Sequence, residues 1–172
     1  MILESVKKLY HQFRINKSLF LDSLFGDKDY RKFVIICDSR TGSTLLLNLL
    51  GFHPEIGVEG EKFRAMDHKS GEAIWNEIFR KRKKRIKQVG FKLFYFHAKG
   101  EDQKVWELLE QDKSITIVHL TRQNLLRSLV SKKIGLKTKK WTENINSKEE
   151  IGIQEKRISL GKEECENYFE TI

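Results

Sequence analysis

Residues 33–50 read Phe-Val-Ile-Ile-Cys-Asp-Ser-Arg-Thr-Gly-Ser-Thr-Leu-Leu-Leu-Asn-Leu-Leu, and this stretch decides the fold. Phe33, Val34, Ile35 and Ile36 have the length and β-branching of a strand buried on both faces, and residues 45–50 are apolar enough for a helix packed into a core. Between them lies a polar turn, residues 38–44, whose one glycine, Gly42, precedes the hydroxyls of Ser43 and Thr44. A buried strand feeding a tight turn and a helix N-terminus aims several backbone N–H groups at one spot. That is a site for an anion, and Arg40 adds a full positive charge beside it. The same residues also serve an ordinary strand-to-helix turn in which Ser43 or Thr44 only caps the helix.

The nearest nucleotide-binding pattern is the P-loop, Gly-x-x-x-x-Gly-Lys-Ser/Thr, whose lysine reaches the outer phosphates and whose hydroxyl holds magnesium. Aligning Gly42-Ser43-Thr44 on its last three positions puts Ser43 where the lysine belongs and Cys37 where the first glycine belongs. No other apolar strand ends in the aspartate that would hold magnesium; the best one ends His119-Leu120-Thr121-Arg122. An ATPase or kinase is therefore disfavoured, and no metal is expected.

Outward from this centre, helical and strand patterns alternate. Val6, Leu9, Tyr10, Phe13 and Phe20 predict one or two amphipathic helices over residues 4–24, ended by the polar cluster at 26–29. Residues 51–60 carry the only proline and three glycines and read as a loop with at most a short strand at 56–58. A helix is expected over 71–87, a second core strand over 89–96, a helix over 101–111 and a third strand over 114–120. Residues 124–134 turn helical, 137–146 are loop-like, and the remainder to Ile172 looks helical. Strands separated by helices predict an α/β fold, a P-loop-like three-layer α/β/α arrangement around a mostly parallel sheet.

At 172 residues, 39% hydrophobic and 33% charged, the chain suits one globular domain. Its apolar runs fall far short of the ~20 residues of a membrane-spanning helix, and the N-terminal stretch lacks a signal-peptide core. Cys37 and Cys165 are too few for a disulfide framework or zinc site, which fits a reducing cytoplasm. The net charge of +9 favours acidic partners: nucleic acid, an anionic membrane or a nucleotide. The run from Arg80 to Lys87 is the strongest charge cluster. It reads as a solvated helix end, because no aromatic residues interleave it to stack bases.

A second anion site is readable after the third strand. Leu125, Leu126, Leu129 and Val130 share one helical face, and Asn124, Ser128 and Ser131 share the opposite one. Arg122 precedes them, so a guanidinium fork and two hydroxyls converge near a helix N-terminus. An amphipathic helix with water-facing serines has the same pattern. Both sites follow strands of one parallel sheet and should open at its carboxyl edge, where one ligand carrying two phosphates could engage both.

Ser39-Arg40-Thr41-Gly42-Ser43-Thr44-Leu45-Leu46 resembles the 5'-phosphosulfate loop of sulfotransferases, closest to the bacterial carbohydrate enzymes of the nodulation-factor and trehalose type. His53-Pro54-Glu55-Ile56 with Gly60-Glu61-Lys62-Phe63 looks like the segment after that family's first helix, and Val89-Gly90-Phe91-Lys92-Leu93 like its next strand. His119-Leu120-Thr121-Arg122-Gln123-Asn124-Leu125-Leu126-Arg127 with Ser131 is similar to its 3'-phosphate motif. The resemblance implies transfer of a sulfuryl group from 3'-phosphoadenosine 5'-phosphosulfate to a hydroxyl of a carbohydrate or glycolipid. It assigns Ser39, Arg40, Thr41, Gly42, Ser43, Thr44, Arg122, Ser128 and Ser131 to the donor. Glu61 matches the family's glutamate and is the expected general base, with Glu59 and His53 as rivals; a structural carboxylate paired to Arg64 or Lys62 is the competing role. Arg40 would stabilise the leaving phosphate, and Lys92 would steady the transferring group or simply snorkel from a strand end. His97 and His119 read as ordinary strand-end histidines. The family continues past the 3'-phosphate helix with a segment that closes over the adenine. No match to it is found in the 41 residues after Ser131, so residues 1–172 read as a single sulfotransferase-like domain short of that segment. The alternative class is a basic nucleotide- or nucleic-acid-binding protein without transferase activity.

Overall fold

The computed structural model describes residues 2–64, 66, 69–97, 103–139, 141 and 157–170. Four strands, β1 (Arg31–Cys37), β2 (Ile56–Glu59), β3 (Gln88–Phe94) and β4 (Thr116–Leu120), form one sheet in the order β2-β3-β1-β4. Every pairing is parallel. The strand predicted to be buried on both faces therefore lies inside the sheet, between β3 and β4. The helices are α1 (Ile2–Phe25), α2 (Ser43–Gly51), α3 (Gly71–Ile78), α4 (Lys104–Gln111), α5 (Leu125–Thr138) and α6 (Lys162–Glu170).

Strand alternation divides the core into two layers. Val34 and Ile36 of β1, with Val89, Phe91 and Leu93 of β3, pack against Ile74, Trp75 and Ile78 of α3 and Val105 and Leu109 of α4. Phe33, Ile35 and Cys37 point to the other face, where Leu47 of α2 and Phe94 join them. This is the expected three-layer α/β/α architecture. Gly90 is required by close approach: a Cβ there would lie 2.4 Å from the Phe33 ring. Gly90→Ala should therefore cost about 1–3 kcal/mol through overpacking, read as a lower denaturant midpoint with an unchanged slope.

The helix expected over 71–87 stops at Ile78. Phe79 leaves helical geometry to bury its ring against Trp75, and Arg80 and Arg82 of the basic run turn inward while Lys81, Lys83, Lys84, Arg85 and Lys87 stay exposed. Arg80 Nη1 donates to Glu77 O at 2.8 Å and Arg82 Nη2 to Ile78 O at 2.8 Å, satisfying carbonyls that the helix end leaves open. The same two guanidinium groups grip the Glu59 carboxylate, and Arg82 also bridges to Asp27 through its backbone. The solvated-helix-end reading thus fails for Arg80 and Arg82. Residues 4–24 form one helix, not two, and the second strand ends at Phe94, with residues 95–97 in a turn. α5 runs four residues beyond 134, into the stretch read as loop, and residues 142–156 of the chain lie outside the described residues.

Candidate functional site

β1 ends at Cys37, whose thiol is pushed up by burial beneath the turn. Asp38, Ser39, Arg40, Thr41 and Gly42 connect it to α2. Thr41 Oγ1 donates to Asp38 O at 2.9 Å and tightens the turn. Arg40 has φ 67° and Gly42 φ 94°, both in the left-handed region. For Gly42 this conformation is free of Cβ strain, whereas for Arg40 it costs on the order of 1–2 kcal/mol.

The cost is offset by an unusual convergence. Arg122 Nη1 donates to the Arg40 carbonyl at 2.8 Å, and Ser128 Oγ donates to the same oxygen at 3.3 Å. The Arg40 side chain in turn donates from Nε to Ser131 Oγ at 2.8 Å and from Nη1 to Trp141 O at 2.5 Å. The groups read from sequence as two separate anion sites are therefore one connected structure, with Arg40 at the joint. α5 achieves this by burying Ser128 beside Leu129, while Leu126 is exposed.

Neither Ser43 nor Thr44 caps α2. Gly42 occupies the N-cap position without a side-chain cap, Ser43 is buried, and Thr44 Oγ1 accepts from Lys92 Nζ at 2.7 Å. The N-terminal amides of α2 thus face the carboxyl edge of the sheet, with no side-chain cap among the described residues.

Lys92 occupies the α2 face of β3. Far from snorkelling, its side chain is only 4% exposed, and its ammonium lies 2.7 Å from Glu61 Oε1 as well as bonding Thr44. Glu61, just past the end of β2, is thereby wired to the first turn of α2. Its other oxygen, Oε2, lies 3.6 Å from Arg64 Nη1 and 4.0 Å from His97 Nε2. Glu61 therefore has the ion pair of the structural reading and a place beside the strand-to-helix loop at once.

The rivals are differently placed. Glu59 receives Arg82 at 2.7 Å and Arg80 at 3.0 Å; burial raises its carboxyl, but the two arginines outweigh it and hold the group below the ordinary range. His53 Nδ1 accepts from Glu55 N at 3.3 Å within its own exposed turn.

His97 is the residue that sequence reasoning undervalued. It is 3% exposed, and its Nδ1 accepts from Phe94 N at 3.4 Å, which puts the proton of the neutral ring on Nε2. Among the described residues that buried Nε2 has no hydrogen-bond partner, and it lies 4.0 Å from Glu61 Oε2. Trp141, its ring 6.0 Å from the Arg40 guanidinium carbon, is also brought to the site from a stretch without a motif. By contrast His119 pairs with the Tyr95 hydroxyl at 2.6 Å, in keeping with a strand-end role.

The burial of His97 has a pH consequence. Desolvation lowers its titration below the ordinary 6.5 more than Glu61 raises it. Between the folded and unfolded values the unfolded chain holds the extra proton, so this contribution is full above about pH 6.5 and falls as the pH drops below it. Glu59 and Glu77 act at lower pH. Both are lowered from 4.5, Glu77 to about 2 by hydrogen bonds from Lys69 and Lys62, so their stabilisation is lost as the pH falls below 4.5. Thermal midpoints should decline from pH 7 to 5, and His97→Asn should flatten that segment while leaving the decline below pH 4.5 in place.

No family model matches the chain, and no curated protein or solved structure matches it significantly.

Proposed function

We propose that this protein is a sulfotransferase that moves a sulfuryl group from 3'-phosphoadenosine 5'-phosphosulfate to a hydroxyl of a carbohydrate or glycolipid. The observation that carries the reading is the joint at Arg40, where the strand-to-helix loop and the Arg122, Ser128 and Ser131 group meet at the carboxyl edge of a parallel sheet. The loop amides at residues 42–44, with Ser39 and Thr41 in the turn, would receive the 5'-phosphate, and the α5 group the 3'-phosphate. Arg40 stands between them.

Sulfuryl transfer breaks the bond between sulfur and the bridging oxygen, so negative charge grows on the departing 5'-phosphate. Fixed amide donors and a guanidinium stabilise that charge without reorganisation. Lys92, already at Thr44, supplies a cation for the leaving or transferring oxygens. Glu61 accepts the proton of the incoming hydroxyl, with His97 Nε2 buried 4.0 Å from its Oε2. The two free cysteines agree with a cytoplasmic setting.

Incubating the chain with radiolabelled donor and a panel of sugars and glycolipids tests this reading. Label should enter an acceptor hydroxyl without added magnesium. Nucleotide binding with no transfer to any acceptor would favour the alternative of a binding protein, although the basic run invoked for nucleic acid commits Arg80 and Arg82 to Glu59.

A further inference from the structure

We propose that the outward face of α1 is a docking surface for an anionic lipid membrane. At 100° per residue, Leu9, Phe20, Phe13, Val6, Leu24, Tyr10 and Leu21 fall within an arc of about 120° along this 24-residue helix. All seven are exposed, Leu9 at 74% and Phe13 and Phe20 at 64% each, although such side chains are core-formers elsewhere in the chain. Among the described residues the helix meets the domain through its last two turns. Asp22 is buried there and Ser18 half-buried; Lys81 Nζ reaches Ser23 O at 3.4 Å, and just past the helix Asp27 pairs with Arg82. Along residues 5–17 every described side chain is exposed, so a contiguous apolar strip is left uncovered by the domain.

Charge selects the occupant. No aspartate or glutamate lies in the arc, Lys17 falls inside it between Leu24 and Tyr10, and Arg14 borders it. Against a second copy of α1, Lys17 would enter an apolar protein interface among like charges, which is costly for an unpaired cation. In a bilayer interface the same lysine lays its stem along the apolar face and lifts its ammonium to the lipid phosphates, while Tyr10, Phe13 and Phe20 settle at the headgroup boundary. The strip is also broader than the two-position seam of a coiled coil. The net charge of +9 draws the whole chain toward an anionic surface. Among the described residues no helix is long and apolar enough to cross a membrane, so the proposed mode is interfacial.

Vesicle flotation with the full chain tests this. Phosphatidylcholine vesicles containing about one third phosphatidylglycerol should carry the protein upward at low salt, and pure phosphatidylcholine should carry far less. The double variant Phe13→Glu, Phe20→Glu should lower partitioning by about tenfold or more while circular dichroism and thermal unfolding stay unchanged, since both rings are exposed. Lys17→Glu should weaken binding to the anionic vesicles and sparingly affect the neutral ones. Failure to float with anionic vesicles would overturn the proposal, as would variants that partition like the native chain. Self-association through α1 in sedimentation velocity, abolished by the double variant and undiminished by vesicles, would assign the face to a second copy instead.

Discussion

Glu61→Gln is expected to lower the rate of sulfuryl transfer by about 10²- to 10⁴-fold, the range for loss of a positioned general base, while nucleotide affinity changes little. The substitution preserves size and leaves an amide oxygen to accept from Lys92, whose ammonium lies 2.7 Å from Glu61 Oε1. On the proposed function it would remove the anion that takes the acceptor proton in the transition state, so kcat and kcat/KM should fall together. Some stability is lost as well, because Lys92 is buried and keeps only a neutral partner. Single-turnover kinetics on a variant whose fold is verified by thermal melting separate the two effects. A large loss of nucleotide binding with rate constants otherwise intact would make Glu61 a scaffold for Lys92 and Thr44.

Arg122→Ala should have the second largest effect. The Arg122 guanidinium donates to the Arg40 carbonyl at 2.8 Å and so holds a left-handed arginine in place. Its truncation removes one of the two clamps on the loop and, on the proposed function, would also remove a charged contact to the 3'-phosphate. Nucleotide affinity should fall by roughly 2–3 kcal/mol, about 30- to 150-fold, with much of the loss confined to ligands that carry the 3'-phosphate. Arg122→Lys should restore charge without the planar fork and recover only part of that loss.

The central strand, turn and helix were legible because a β-branched apolar run, a glycine and an apolar helix follow one another within residues 33–50, each governed by local physics. The parallel sheet followed from strand and helix alternation. The spatial order β2-β3-β1-β4 did not, since hydrophobic periodicity carries no information about which strands become neighbours. The basic run misled for a related reason. Cations at a helix end fit the macrodipole, and only the folded chain brings Glu59 within reach of Arg80 and Arg82 to draw them inward.

At the site, the two anion-type motifs were readable from hydroxyl and arginine placement, but their fusion was not. It depends on the Arg40 carbonyl, a backbone atom that no side-chain pattern announces. Glu61 and Lys92 each carried a signal, whereas their contact joins the ends of two strands that are adjacent only in the fold. His97 looked like the close of an aromatic strand, Phe94-Tyr95-Phe96-His97. Its chain instead turns after Phe94 and buries the imidazole against Glu61, an outcome set by the turn's hydrogen bonds.

The measurement that tests the central claim most directly is a calorimetric titration of the native chain with adenosine 3',5'-bisphosphate and with adenosine 5'-monophosphate, both in the presence of chelator. The joint at Arg40 predicts that the bisphosphate binds at least about tenfold more tightly, a difference near 1.4 kcal/mol or more, without magnesium. Equal affinity for the two nucleotides, or binding that requires magnesium, would contradict it.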